Sequence, residues 1–214
     1  MRKRYDLIIF DCDGTLVDSE PVTNGLIAEM IKERGIEITK EECLDRFAGK
    51  SLMDIIYFIR EKKVHEDEVT FETEYRQRCD EIFKRDLKPI PGVPDLLASL
   101  TIPFCVASNG PKVKMDVTLP ATELDHFFTE ERIFSAYDIQ AWKPKPDLFL
   151  HAASQMGVPP DRCLVIEDTW SGIMGAINAE IDVWAYNPHL DKRLYQNGVP
   201  SFTEMNTIAE RLLI

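Results

Sequence analysis

Leu7-Ile8-Ile9-Phe10-Asp11-Cys12-Asp13-Gly14-Thr15-Leu16-Val17-Asp18 changes character in mid-stretch. Leu7 to Phe10 is an unbroken apolar run bounded by acids, the pattern of a strand buried on both faces in a parallel sheet. The acids begin where the run stops. Asp11 and Asp13 alternate in an extended chain, so their carboxylates leave the same face. Two carboxylates so placed repel unless a metal or a proton intervenes. Gly14 supplies the bend. A bare Asp-x-Asp-Gly is equally well a strand end followed by an Asx-turn. The apolar run together with the full stretch to Asp18 is far more specific.

Runs of the same kind recur at Phe104-Cys105-Val106-Ala107, Cys163-Leu164-Val165-Ile166 and Val183-Trp184-Ala185. Helical patterns lie between them, at Val113 to Leu119, Pro146 to Met156 and Ser171 to Ala179, and Pro91-Gly92-Val93-Pro94 opens a short helix ending near Leu100. Strands alternating with helices predict an α/β fold: a doubly wound, Rossmann-like parallel sheet with right-handed crossovers. The stretch from Pro21 to Asp86 breaks that rhythm. It offers helices at Val22–Arg34, Lys40–Phe47, Ser51–Lys62 and Glu66–Arg85, with Leu52, Ile55, Ile56, Phe58 and Ile59 at helical spacing. A helical domain inserted after the first strand is expected at 21–86, in a core formed by 1–20 and 87–214. The chain would return through Lys88-Pro89-Ile90-Pro91.

Composition narrows the function. The 214 residues are 44% hydrophobic and 29% charged, a globular balance, and the formal charge is −12. That sign argues against nucleic acid and anionic membrane as partners, which require clustered cations. A small anionic substrate stays open, because a local cation and a metal reverse the sign inside a cleft. Cys12, Cys43, Cys79, Cys105 and Cys163 are odd in number and form no Cys-x-x-Cys pair, so reduced, buried thiols are expected. His65, His126, His151 and His189 lack ligand-like spacing. Asp11 and Asp13 cut the N-terminal apolar run too short for a signal peptide, and no run reaches transmembrane length. The expectation is a soluble, cytoplasmic protein of unreadable oligomeric state.

Three further segments close predicted strands. Ser108-Asn109-Gly110 is a strand-to-helix turn, or a hydroxyl and backbone N–H groups placed as a phosphate cradle. Trp142-Lys143-Pro144-Lys145-Pro146-Asp147 is a turn with a solvated lysine, or a cation delivered to a site. Glu167-Asp168, ahead of Ser171-Gly172, is a helix cap or a set of hard oxygen ligands for Mg²⁺. Singly, each is read more simply as local structure. Together they would line one crevice at the carboxyl ends of the strands, where open α/β sheets bind ligands. They would supply it with a nucleophile, a phosphate anchor, a counter-charge and a metal site.

In this order the four segments resemble the motifs of the haloacid dehalogenase superfamily of phosphohydrolases, over nearly the whole chain. The helical insert is similar to the cap of the subfamily whose cap follows the first motif. Within it the stretch Phe134-Ser135-x-Tyr137-Asp138-Ile139-Gln140-x-Trp142-Lys143-Pro144 is similar to bacterial sugar-phosphate phosphatases. The resemblance implies a Mg²⁺-dependent phosphomonoester hydrolase with a small-molecule substrate of the 6-phosphogluconate kind. Asp11 would be the nucleophile that forms an aspartyl-phosphate, and Asp13 the acid and base. Ser108 and Lys143 would hold the transferring oxygens, and Thr15 and Asn109 would complete the cradle. Asp11, the Asp13 carbonyl and Asp168 would bind the metal, with Glu167 acting through water. In the cap, Arg46, Gly49 and Lys50 are the expected contacts to the leaving group. Trp170 stands where relatives usually carry a small residue, and Glu180 where a helix-ending glycine is common.

Rivals meet specific objections. A dehalogenase proper does not need Asp13. A phosphosugar mutase of the same family would carry a histidine where this chain has Thr23. A phospho-receiver switch places its acceptor after a middle strand and has no helical insert. Retention of every chemical group argues against an idle binding module.

Overall fold

The structure, a computed structural model, describes residues 5–47, 52–62, 64–188 and 197–212. Its sheet is built from β1 (Leu7–Phe10), β2 (Phe104–Ser108), β3 (Ile133–Ser135), β4 (Cys163–Glu167), β5 (Asp182–Tyr186) and β6 (Ser201–Phe202). Among the described residues the strand order is β3-β2-β1-β4-β5-β6, and each neighbouring pair is parallel. This is the doubly wound α/β architecture. Its order reverses beside β1, so the crevice opens where β1 and β4 end.

The register places the chemistry-bearing ends side by side. Phe10 pairs with Val106 on one flank and Ile166 on the other, and Asp11 N–H donates to the Ile166 carbonyl at 2.9 Å. Every residue of β1 is buried. On one face Leu7, Ile9, Cys105, Ala107, Cys163, Val165, Val183 and Ala185 form a core with α8 (Asp147–Gln155) and α9 (Trp170–Asn178). Those helices contribute Leu148, Phe149, Ala152, Ile173 and Ala176. The alternate residues Ile8, Phe10, Phe104 and Val106 are buried toward the other face, where Phe10 and Phe104 meet edge to face at 6.1 Å. Burial on both faces is why these strands read as continuous apolar runs.

The chain divides into two compact units, Asp18–Leu87, and Met1–Val17 with Lys88–Ile214. In the second unit the outgoing and returning segments pair, with Ile90 N–H donating to the Leu16 carbonyl at 2.9 Å and Val17 bridging to Pro89.

The helical unit contains α1 (Ser19–Glu33), α2 (Lys40–Phe47), α3 (Leu52–Glu61) and α4 (Glu68–Asp86). Ile55, Ile56, Phe58 and Ile59 of α3 are buried. Asp67 caps α4, its side chain accepting from Thr70 N–H at 2.8 Å. Arg34 pairs with Glu66 and with Glu74 (2.9 Å), over the ring of Phe71. α1 begins before the expected Val22. Pro21 looks like a boundary, but in the first turn its missing N–H has no intrahelical partner to lose.

The remaining helices of the larger unit are α5 (Val93–Ser99), α6 (Lys112–Ala121), α7 (Ala136–Ile139) and α10 (Asn206–Leu212). The sequence pattern predicts neither β3 nor β6, and it also passes over α10. β3 spans 3 residues and β6 spans 2, too short for any periodicity to show. The strands β2 and β4 run one residue further than expected, so Ser108 and Glu167 belong to the sheet itself. No helix of the described residues is long and apolar enough to cross a membrane. All of the cysteines are free and buried.

Candidate active site

The site is a set of polar side chains at the carboxyl ends of β1, β2 and β4, joined by Lys143, which comes from the loop after α7 and not, as expected, from the close of a strand. Lys143 is its centre. Its side chain is 2% exposed, and its ammonium donates to Asp11 Oδ1 and, at 2.8 Å, to Glu167 Oε1. Nζ also lies 4.9 Å from the centre of the Phe149 ring. Burial works against the charge on Lys143, but Asp11 and Glu167 outweigh it and hold its pKa above the ordinary lysine range. The cation therefore stays charged in a water-poor setting, where electrostatic interactions are strong.

Each acid has its own supports. Glu167 Oε2 accepts from the Thr169 N–H (2.8 Å) and hydroxyl (2.9 Å), so both of its oxygens are engaged. Thr169 in turn caps α9, accepting from Gly172 N–H at 3.1 Å. Asp168 Oδ1 accepts from the Thr15 hydroxyl at 2.8 Å. Asp13 is about a third exposed and its Oδ1 accepts from Lys114 Nζ at 2.7 Å. The two carboxylates of the first motif thus differ: Asp11 is buried against Lys143, whereas Asp13 faces outward.

The loop after β2 is tied down from below. Ser108 Oγ accepts from Gly110 N–H at 3.0 Å, a role that leaves the hydroxyl's own proton to donate. Ser135 Oγ donates to the Gly110 carbonyl at 2.7 Å and accepts from Tyr137 N–H at 3.1 Å. Asn109 Oδ1 accepts from the backbone N–H of Lys143 at 2.9 Å, joining two motifs. Asn178 Nδ2 donates to the Pro144 carbonyl at 2.9 Å, steadying the same lysine loop.

The donor set fits a hard divalent cation. Asp11, Glu167 and Asp168 each offer a carboxylate oxygen, and these atoms lie within 4.8 Å of one another. Three acids surround one lysine, and the imbalance shows at Asp11 and Asp168. Burial first, then Glu167, push Asp11 up to about 7 against the pull of Lys143. Burial, Glu167 and Asp11 raise Asp168 well above the carboxylate range. A bound cation would relieve that excess charge, and all-oxygen ligands suit Mg²⁺.

Of the residues expected from sequence, Asp11, Asp13, Thr15, Ser108, Asn109, Lys143, Glu167 and Asp168 therefore lie on this one rim. Thr15 bonds to Asp168, and Asn109 to the backbone N–H of Lys143. Arg46 is exposed in the helical unit, its guanidinium 4.7 Å from the centre of the Phe58 ring. Gly49 and Lys50 lie outside the described residues. Sequence reasoning missed Lys114, Ser135, Thr169 and Asn178. Only Thr169 left a local signal, a threonine three residues ahead of Gly172 at a helix start.

The chain is similar to known proteins over most of its length. The family model described as hydrolase, haloacid dehalogenase-like, matches residues 5–180. The 6-phosphogluconate phosphatase of Escherichia coli (strain K12) is 36% identical over 210 residues, 97% of this chain and 94% of the relative. A conserved haloacid dehalogenase-like protein of unknown function from Agrobacterium tumefaciens str. C58 superposes with a TM-score of 0.84 at 34% identity, covering 98% of both chains. A family hydrolase from Deinococcus radiodurans R1, crystallised with bound phosphate and sodium, superposes with a TM-score of 0.80 at 25% identity, covering 97% of this chain and 94% of that one.

Proposed function

The chain belongs to the haloacid dehalogenase-like hydrolase family and is a phosphatase, and on that premise we propose that it hydrolyses a sugar phosphate through an aspartyl-phosphate on Asp11 with the help of Mg²⁺. The observation that carries this reading is the set of carboxylates at adjoining strand ends: the buried Asp11 and Glu167 and the partly buried Asp168 offer oxygens within 4.8 Å of one another, with Lys143 between Asp11 and Glu167. The 6-phosphogluconate phosphatase relative supports a carboxylated sugar phosphate as substrate. Arg46, Gly49 and Lys50 remain our candidates for binding such a substrate, since cations suit carboxylate and hydroxyl groups. We place the enzyme in the cytoplasm, where buried free cysteines stay reduced.

In the first step an oxygen of Asp11 attacks phosphorus, and the bond from phosphorus to the sugar oxygen breaks. Asp13 gives that oxygen its proton. In the second step water attacks the phosphorus of the aspartyl-phosphate, passes its proton to Asp13, and the Asp11 carboxylate is restored. Lys143 and the Ser108 hydroxyl hold the transferring oxygens as negative charge develops on them. Asp11, Asp168 and the Asp13 carbonyl would hold Mg²⁺, with Glu167 reaching it through water, and the ion would supply charge neutralisation between carboxylate and phosphate. Glu167 has a second task in fixing Lys143.

The mutase alternative gains nothing from Thr23, whose hydroxyl donates to the Ser19 (3.0 Å) and Glu20 (3.2 Å) carbonyls of its own helix. The deciding experiment is a phosphate-release screen of the purified protein against sugar phosphates and other metabolite phosphates, with Mg²⁺ and with EDTA. Release from sugar phosphates that stops in EDTA and returns with Mg²⁺ is expected. Full activity in excess chelator would sink the metal assignment, and conversion of β-glucose 1-phosphate to glucose 6-phosphate would move the protein to the mutases.

A further inference from the structure

The crevice holds a second lysine that the mechanism above does not use. Lys114 lies in the first turn of α6, and its Nζ stands 2.7 Å from Asp13 Oδ1, a contact between residues 101 positions apart. The pair differs from the buried one beside it. The Lys114 and Asp13 side chains are 30% and 31% exposed, against 2% and 9% for Lys143 and Asp11. One cation serves the nucleophile, deep in the site. The other meets the acid on the side open to solvent.

Little in α6 itself favours a lysine at 114. The first turn of a helix is its positive end, where a cation is unfavourable. α6 has no acid in that turn, and no side chain caps it from Pro111. An ion pair about one-third exposed returns little to folding. The geometry around Gly110 is more telling. A Cβ on Gly110 would lie 3.3 Å from Ser108 Oγ, 3.5 Å from Lys114 Cδ and 3.9 Å from Asp13 Oδ2. The lysine stem thus passes close to the bare glycine on its way to Oδ1, and Oδ2 lies near the same glycine.

We propose that Lys114 is a positioning residue for proton transfer: by holding Oδ1 it fixes the plane of the Asp13 carboxyl, so that Oδ2 is the oxygen that exchanges the proton. In the first step the P–O bond breaks, its electron pair passes to the sugar oxygen, and that oxygen takes the proton from Oδ2. In the second, water bonds to phosphorus, its proton goes to Oδ2, and the pair of the broken Asp11–P bond returns to the carboxylate. A carboxyl free to rotate would spend much of its time misaligned for both transfers. The proposal rests on the reading of Asp13 as the acid–base residue.

The test compares alkyl with aryl leaving groups. A sugar alkoxide needs a proton as it departs, whereas p-nitrophenolate leaves unaided. The quantity kcat/KM reports only steps up to phosphoryl transfer, so its alkyl-to-aryl ratio isolates proton donation, and any unfolded fraction cancels. Wild type, Lys114→Met, Lys114→Arg and Asp13→Asn would be assayed in saturating Mg²⁺ on 6-phosphogluconate, glucose 6-phosphate and p-nitrophenyl phosphate. Asp13→Asn should lower the ratio by ~10²-fold, the scale of general acid catalysis. Lys114→Met should lower it by about ten-fold for both sugar phosphates, through kcat rather than KM, as expected when a transition-state interaction is weakened. Lys114→Arg should restore most of it. An unchanged ratio in Lys114→Met beside a lowered one in Asp13→Asn overturns the role of Lys114 alone. A raised KM confined to 6-phosphogluconate overturns it too, making Lys114 a receptor for the substrate carboxylate. An unchanged ratio in Asp13→Asn removes the underlying reading of Asp13 instead.

Discussion

Glu167 and Gly172 are packed so closely that a Cβ on Gly172 would lie 1.7 Å from Glu167 Oε1 and 1.9 Å from its carboxyl carbon. Gly172 sits in the first turn of α9, three residues beyond the Thr169 cap, and its bare backbone makes room for the carboxylate. That carboxylate is one of the two that hold Lys143.

Gly172→Ala should therefore act on catalysis through Glu167. The methyl group must drive Glu167 away from Lys143 Nζ, now 2.8 Å distant, and from the Thr169 donors. The expected result is a loss of ~10²-fold or more in kcat, the scale of removing a preorganised transition-state contact, with a stability cost of about 1–3 kcal/mol for overpacking. Steady-state kinetics and a denaturant melt measure the two. Wild-type turnover in a folded variant would show that the Glu167–Lys143 pair is dispensable.

Cation binding should stabilise the protein more at higher pH. In the metal-free fold Asp11 is raised from 3.8 to about 7, so between those values the folded state holds a proton that the unfolded chain has released. Metal-free stability then falls as pH rises through that window. Mg²⁺ binds the ionised carboxylates, so its contribution grows over the same rise. Thermal melts with and without Mg²⁺ at pH 5.5 and pH 8 check this: the Mg²⁺-induced increase in Tm should be larger at pH 8. An equal increase at both would mean that Asp11 is not titrating against the metal.

The two acids of the first motif should fail differently. Asp11→Asn removes the attacking carboxylate and should abolish turnover of every substrate. Asp13→Asn, given p-nitrophenyl phosphate, can still be phosphorylated but lacks the base for the second step. Rapid quenching and intact-mass measurement should find the added phosphoryl group on that variant and none on Asp11→Asn. Wild-type turnover of both sugar and aryl esters by Asp13→Asn with its metal bound would refute the acid–base assignment.

Glu180 ends the α9 region with φ of 56°, in the left-handed region. Its N–H donates to the Ile177 carbonyl at 3.0 Å, so the turn is tied in place. A residue with a Cβ pays roughly 1 kcal/mol or more there, which glycine avoids at the cost of a more flexible unfolded chain. Glu180→Gly should raise stability by up to about 1 kcal/mol without altering kcat, measured by denaturant unfolding and phosphate release. A destabilised variant would mean that the Glu180 side chain makes contributions larger than its strain.

Local pattern carried the architecture. An apolar run with burial on both faces has one structural use, so β1, β2, β4 and β5 were legible, and alternation with helices then implied the doubly wound sheet. The loss of that alternation is what marks a helical stretch at 21–86 in the sequence; the compact helical unit runs Asp18–Leu87. The acids and the hydroxyl at the strand ends were legible for the same reason: each follows a recognisable run, and parallel strands bring such ends to one edge, whereas Lys143 follows no such run and comes from the loop after α7.

What tertiary structure decided is who bonds to whom. Thr15 and Asp168 are 153 residues apart, Asn109 and Lys143 are 34 apart, and Lys114 and Asp13 are 101 apart. A hydroxyl that can serve a phosphate or a neighbouring carboxylate has the same sequence either way. Its partner is set by sheet register, which puts Asp11 beside Ile166 and Ser108 beside Ser135. The same holds for β3 and β6, whose few residues become strands only because β2 and β5 present them with open edges. By itself the sequence determined which groups reach the rim, since burial and periodicity are local properties of the chain. Only the fold determined their pairing and exposure, since hydrogen bonds and desolvation depend on neighbours that the chain brings from far away.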